Sequence, residues 1–250
     1  MPFTPLIQAL KRGAFVITPT NRLQRELVWR YTQLSPSKVT PHPRCFSYTN
    51  WLEESYQDYL FLHPQDINLT LINDWQFYRL WKNISEKKLG RTLKYSECQQ
   101  AINAVKNCAL SQVKPKGSDF LYTPMAQHFH DIYKEVHHSM QQKNWLPSYE
   151  LASILQDKTF IKPNTEIIWA CFDTFHPQQQ SLIEHLNRQH VTQYFFDLHS
   201  QTLFDKPSTC LESLQKTTPS TQIFYYSAPE AHQEFEQIIL WLKQKLKQGA

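Results

Sequence analysis

The segment Ala14–Leu23, which reads AFVITPTNRL, decides the fold. Its first half, Ala14–Thr18, is apolar and β-branched, a composition typical of a buried strand. Pro19 follows at once, and proline is favoured in the first turn of a helix. Apolar residues then recur at spacings of four, four and three, which is one face of a helix: Leu23, Leu27, Tyr31 and Leu34. The segment therefore predicts a strand that leads directly into a helix.

The same order of strand and helix recurs at both ends of the chain. Short apolar runs predict four further strands: Arg44–Tyr48, Glu166–Phe172, Val191–Leu198 and Gln222–Ser227. Strands that alternate with helices form parallel sheets through right-handed crossovers. The sequence thus predicts an α/β fold built on a parallel sheet, in which the Ala14–Thr18 and Glu166–Phe172 strands run in the same direction.

The middle of the chain has helical periodicity instead. Its clearest apolar stripe contains Met125, Phe129, Ile132, Val136 and Met140. We therefore expect a mainly helical insertion over residues 51–162, and an α/β core formed by residues 1–50 and 163–250.

The formal net charge of +4 is unevenly distributed. Between positions 82 and 116, eight basic residues stand against Glu86 and Glu97, a local excess of +6 that leaves −2 for the rest. These basic residues are Lys82, Lys87, Lys88, Arg91, Lys94, Lys106, Lys114 and Lys116. A concentrated basic segment is compatible with contact to a nucleic-acid backbone. It is equally compatible with a solvated helix face.

Several kinds of chemistry have no motif in this chain. With only four glycines, it contains neither a P-loop nor a G-x-G-x-x-G fingerprint to hold phosphates. It also lacks H-E-x-x-H, G-x-S-x-G and the acidic pairs with which nucleases hold magnesium. His128 and His130 are spaced i, i+2, which do not face each other on a helix, so we expect surface histidines. We predict no catalytic residue, no metal and no cofactor.

The composition also bears on the compartment. No run approaches the roughly 18 apolar residues that a membrane span requires. The first ten residues have no apolar core behind a basic start, and the five cysteines form no C-x-x-C pair. We expect a soluble cytoplasmic protein with reduced thiols and no membrane partner.

The turn after the first strand is a candidate for phosphate binding. Free N–H groups at a helix start attract anions, Thr18 or Thr20 can cap that helix, and Arg22 lies nearby. An ordinary Thr-Pro helix start with an arginine in solvent explains the same residues. The residues alone leave both interpretations open.

Four segments together resemble a known family. They are Val16–Leu23 (VITPTNRL), the helix that begins with Trp51 and Leu52, Phe172–Gln180 (FDTFHPQQQ) and Ser227–Ala231 (SAPEA). In this order they resemble the N-terminal half of proteobacterial probable DNA repair proteins related to the AddB and RecB nucleases. A glycine is usual in that family where this sequence has Cys171.

The resemblance implies a helicase-type core domain, called 1A, with a helical 1B insertion, whose Walker lysine is lost and which holds DNA without catalysis. It implies sequence-independent contact with single- or double-stranded DNA through one groove. The residues that we expect to contact DNA are Thr18, Thr20, Asn21, Arg22, Lys87, Lys88, Arg91 and Lys94. We also expect the chain to be part of a longer protein with a C-terminal nuclease, or to work with a helicase or nuclease subunit. Two alternatives remain: a partner-docking module, and a small-molecule enzyme at the carboxyl edge of the sheet.

The missing glycine loop generates a first prediction. The purified chain should hydrolyse ATP no faster than background, because no loop can surround the β- and γ-phosphates. Phosphate release with and without magnesium measures this. Turnover that a single substitution in this chain abolishes would contradict the prediction.

Overall fold

The computed structural model describes residues 3–34, 41–66, 68–114, 117, 123–198 and 202–205. Its helices are α1 (Thr4–Arg12), α2 (Asn21–Gln33), α3 (Tyr48–Leu62), α4 (Asp74–Leu89), α5 (Tyr95–Leu110), α6 (Pro124–Gln142), α7 (Leu151–Leu155) and α8 (Pro177–Arg188). Its strands are β1 (Phe15–Thr18), β2 (Cys45–Ser47), β3 (Thr70–Ile72), β4 (Trp145–Pro147), β5 (Glu166–Ala170), β6 (Thr192–Asp197) and β7 (Thr202–Phe204). These elements lie in one compact unit, Met1–Glu212. A second unit, Ser213–Ala250, lies outside the described residues, and so do the predicted strand Gln222–Ser227 and the helix after it.

The main sheet has five strands in the order β2-β1-β5-β6-β7. The first four are parallel, which confirms the predicted α/β fold. Phe15 lies opposite Ile167 and Ile17 opposite Trp169, so the expected parallel pairing of β1 with β5 is also confirmed. The fifth strand, β7, is antiparallel to β6. It falls in a polar stretch that the sequence pattern does not identify as a strand, and it makes the sheet mixed.

The sheet is covered on both faces because successive side chains of a strand point to opposite sides. Val16 and Ile168 face a core with α1 and α2. Ile17 and Trp169 face a second core with α3, α7 and α8. Strands buried on both faces are expected to be nearly continuous apolar runs, and β1 and β5 are so apart from Thr18 and Glu166.

The crossovers leave β1 and β5 in opposite directions. β1 continues to β2 through α2 on one face, whereas β5 continues to β6 through α8 on the other. Because β1 and β5 are neighbours, their carboxyl ends form a topological switch point, the place where open α/β sheets bind ligands. We call the space between the loop after β1 and the loop after β5 the switch-point crevice.

The region between β2 and β5 contributes to two separate hydrophobic cores. Helices α4, α5 and α6 share their own core, which includes Phe77, Trp81 and Val136. The chain enters and leaves this subdomain through a parallel ladder between β3 and β4. Trp51 of α3 and Leu151 of α7 pack instead in the core beneath the sheet. Residues of the predicted insertion, 51–162, thus contribute to two cores, since helical periodicity does not show which core an apolar face joins.

Helix α1 is an addition that the strand pattern does not predict. It buries Leu6 and Leu10 against the sheet and ends at Gly13, whose φ of +88° favours glycine. None of the described helices is long and apolar enough to cross a membrane. The cysteines within the described residues, namely Cys45, Cys98, Cys108 and Cys171, form no disulfide.

The core position of Trp51 generates a stability prediction. Trp51 is 1% exposed, and its ring centroid lies 5.5 Å from that of Trp169 and 5.9 Å from that of Phe160. Trp51→Ala should lower the free energy of unfolding by about 3 kcal/mol, since it leaves a cavity. Trp29→Ala is the matched control, because Trp29 is 57% exposed. Urea denaturation measures both, and equal losses would contradict the assignment of Trp51 to the core.

Candidate nucleic-acid interface

Thr18 ends β1 and fixes the loop that follows. It is fully buried, and its hydroxyl lies 3.0 Å from the Thr20 carbonyl oxygen and 3.1 Å from that of Phe46. A buried hydroxyl between two acceptors holds the turn against β2. The contact of Thr18 with DNA stays a prediction, which its buried side chain does not support; in the structure Thr18 positions the loop.

Thr20 is the N-cap of α2. Its hydroxyl accepts the backbone N–H of Leu23 at 3.3 Å, and its carbonyl accepts that of Gln24 at 3.2 Å. The N–H groups of Asn21 and Arg22 directly follow this cap and belong to the first turn of α2, whose N–H groups have no partners within the helix. Together with the helix dipole they give the turn a partial positive charge. Such a helix start favours an anion.

The side chains of Asn21 and Arg22 are exposed beside these N–H groups. Arg22 forms no ion pair with any residue that the structure describes. The turn itself is rigid because Gln24 joins α2 to β2. The Gln24 amide donates to the Cys45 carbonyl at 3.0 Å and accepts the Ser47 N–H at 3.2 Å. Gln24 was not among the predicted residues, and its only sequence signal is a polar side chain off the apolar stripe of α2.

The other wall of the switch-point crevice is aromatic. Phe172 and Phe175 stack with their centroids 5.0 Å apart, and Phe175 packs edge-on against Trp169 at 6.0 Å. Tyr48, at the start of α3, meets the edge of Phe172 at 6.5 Å. Burial raises the pKa of the Tyr48 hydroxyl. The carboxyl end of β5 is thus covered by rings rather than by hydrogen-bond donors.

Cys171 has a positive φ of 60°, and its N–H donates to the Phe196 carbonyl at 2.9 Å. A left-handed conformation costs an ordinary residue roughly 1–2 kcal/mol and costs glycine little. Glycine would therefore adopt this conformation at a lower cost than Cys171 does. Five positions further on, the His176 N–H donates to Gln179 Oε1 at 2.9 Å, and α8 begins at the next residue.

Within the described residues, four basic residues of the predicted segment are paired with carboxylates. Ion pairs join Lys82 to Glu86 at 3.8 Å, Lys88 to Glu135 at 3.4 Å, Arg91 to Glu97 at 2.8 Å and Lys106 to Asp74 at 2.9 Å. Arg91 donates two hydrogen bonds to Glu97, which lowers the pKa of that carboxyl to about 2. Lys87 and Lys94 are exposed and form no ion pair within the described part of the chain.

The basic segment is also divided along α5. This helix has 16 residues and is therefore about 24 Å long. Beyond its carboxyl end, Gln112 hydrogen-bonds to Ser181 of α8 at 3.0 Å, so this end of α5 lies against α8. Arg91 and Lys94 lie at the other end. The residues from Lys87 to Lys94 therefore lie at the end of α5 that is remote from its contact with α8.

The histidines and a nearby cavity are the places where a metal ion or a small molecule could bind. His128 is exposed, but His130 is 8% exposed, so the expectation of surface histidines was wrong for His130. Among the described residues, no group of three His, Cys, Asp or Glu side chains could hold a metal. A cavity of about 630 Å³ between α5, α6 and α7 is lined in part by Tyr133, His137 and Glu150. Burial lowers the pKa of His137 and raises that of Glu150.

The fold and this site define a class: an α/β protein with a doubly wound, mostly parallel sheet and a helical subdomain inserted between β2 and β5. A scan against models of protein families finds no match to the chain. No curated protein matches it either.

The buried hydroxyl of Thr18 generates the prediction for this site. Thr18→Val keeps the shape of the side chain but removes its donor, so the free energy of unfolding should fall by about 1–2 kcal/mol. Thr92→Val is the control, because Thr92 is exposed and surface substitutions cost within about 0.5 kcal/mol. Thermal and urea denaturation compare the two. No difference between these variants would show that Thr18 does not fix the turn.

Proposed function

We propose that this chain is a non-catalytic scaffold that holds the phosphate backbone of DNA, as part of a double-strand-break repair protein related to the AddB and RecB nucleases. One observation carries the proposal. A rigid, capped helix start presents Asn21 and Arg22 at the switch-point crevice, in a turn that contains no glycine. This arrangement suits a single phosphate better than the triphosphate of a nucleotide.

The chemistry of the turn favours backbone binding over sequence recognition. N–H groups at a helix start and an arginine are typical phosphate ligands, and phosphate contacts carry little sequence information. Each neutralised phosphate releases condensed counterions, so affinity falls as salt rises. The scaffold therefore holds DNA without regard to sequence, and ATP or nuclease chemistry belongs to other parts of the assembly.

Arg22 is the residue that tests this proposal. Arg22→Ala should weaken binding to single-stranded and duplex DNA alike and lower the salt slope by about one. Arg188→Ala is the matched control, since it removes the same charge from an exposed position at the carboxyl end of α8, which is the opposite edge of the sheet. Fluorescence anisotropy with a labelled duplex bearing a single-stranded tail, over a series of salt concentrations, measures both variants.

Equal affinities for wild type, Arg22→Ala and Arg188→Ala would reject the turn as a DNA contact. The double variant Lys87→Ala with Lys88→Ala extends the test to the far end of α5. If this double variant alone weakens binding, the helical subdomain holds DNA and the turn does not.

A docking module is the second candidate, and a groove between α1 and α2 supports it. The groove has a volume of about 280 Å³ and is lined by Phe3, Ile7, Trp29 and Leu34 among others. Trp29 and Leu34 are 57% and 45% exposed, an unusual position for large apolar side chains that cluster. If the protein does not bind DNA at low salt, a docking module explains the structure better than a DNA scaffold does.

A further inference from the structure

Three aromatic side chains form a row on the surface of the helical subdomain. The rings of Trp75 and Tyr78, both on α4, stack with their centroids 5.2 Å apart and their planes at 20°. Tyr95, at the start of α5, lies with its centroid 5.2 Å from that of Tyr78. Tyr78 is 7% exposed, whereas Trp75 and Tyr95 are each 61% exposed. The two ends of this aromatic row therefore present their rings to solvent.

Hydrogen bonds order the backbone around Trp75 at one end of the aromatic row and hold the Tyr95 ring at the other. Asn73 and Gln76 form a reciprocal capping box around Trp75, with bonds of 2.8 Å and 2.9 Å. The Gln99 amide donates to the Tyr95 hydroxyl at 2.9 Å. Rings that are fixed before a ligand arrives lose little conformational entropy when it binds.

Apart from local ion pairs, two cations beside the aromatic row stand against one nearby carboxylate, that of Glu53, whose pKa is raised by burial and by the neighbouring Asp74. Asp74 is paired with Lys106 at 2.9 Å, and Glu97 with Arg91 at 2.8 Å. Arg79 lies one turn after Trp75 and Lys94 directly precedes Tyr95; both are exposed. Neither forms an ion pair with a residue that the structure describes. The exposed rings are thus flanked by two cations that can meet an anion.

We propose that the aromatic row is a stacking site for the unpaired bases of a single-stranded nucleic acid, with Arg79 and Lys94 contacting its phosphates. Binding sites for single strands combine aromatic platforms with basic side chains, because every base has a π-face and every linkage a charge. The bases of a duplex are already stacked on one another, so the row selects unpaired strands. This inference rests on the proposed function, since it presumes that the chain binds DNA.

Positively charged surroundings favour a polyanion over a protein here. A protein partner would cover Trp75 and Tyr95 with apolar side chains and would desolvate Arg79 and Lys94, which is costly without matching carboxylates. A nucleic-acid strand satisfies the rings and the cations together. The row also lies outside the switch-point crevice, so its contribution can be measured separately from that of Arg22.

The experiment compares an oligothymidine with a blunt duplex of the same length at low salt, using fluorescence anisotropy. Trp75→Ala and Tyr95→Ala should each weaken binding to the oligothymidine by about tenfold and leave duplex binding within about twofold. Trp75→Phe should retain most of the affinity, because a ring remains. Phe61→Ala is the control, since Phe61 is 86% exposed but belongs to no such row. Arg79→Ala should lower the salt slope by about one.

The outcomes separate this inference from the proposed function. If wild type binds DNA, Arg22→Ala weakens it and the ring variants bind like wild type, the inference is overturned and the proposed function stands. If wild type binds neither oligonucleotide, both fail. If the ring variants instead abolish self-association of the protein, measured by light scattering, the row is a protein interface and the inference is overturned.

Discussion

The burial of β1 on both faces is the constraint on which the rest of the structure depends. Val16 and Ile17 are each 0% exposed although their side chains point in opposite directions. A strand in this position must be covered by helices above and below, since either face alone would expose apolar surface to water. Helices α1 and α2 cover one side and α3, α7 and α8 the other. The reversal of crossover direction between β1 and β5, and hence the switch-point crevice, follows from this arrangement.

A polar network inside the second core fixes how one of these helices, α8, packs on the sheet. The Trp169 indole N–H donates to Gln193 Oε1 at 2.8 Å, and the Gln193 amide donates to the Ile183 carbonyl at 2.9 Å and to Asn187 Oδ1 at 2.7 Å. Buried polar groups are tolerated only when they are paired. Gln193 thus joins β5, β6 and α8 and fixes the position of α8 on the sheet.

Local patterns in the sequence predicted those parts of the fold that local physics determines. The apolar runs around Val16 and Ile168 correctly predicted buried strands, and the apolar stripe through Val136 correctly predicted a long helix. The patterns failed where partners are distant in sequence. Trp51 has the same helical spacing whichever core receives it, and the three-residue strands β3, β4 and β7 are too short to show a period. The Thr20 cap was accessible to sequence reasoning, whereas the burial of Thr18 against Phe46 was not.

Charge is the clearest case of this limit, and it shapes what the candidate interface can do. A local count gives the basic segment an excess of +6, but Lys88 is paired with Glu135, which lies 47 positions later, and Lys106 with Asp74 on another helix. Only a few cations are left to meet phosphates, and each phosphate contact adds a modest increment to affinity that salt removes. We infer that one helix start and a few separate cations would hold DNA weakly and without sequence preference. Such contacts give useful affinity only when several act on one strand at once, because linked sites bind the same ligand at a high effective concentration. That requirement is consistent with a scaffold that orients DNA for other domains rather than one that captures it alone.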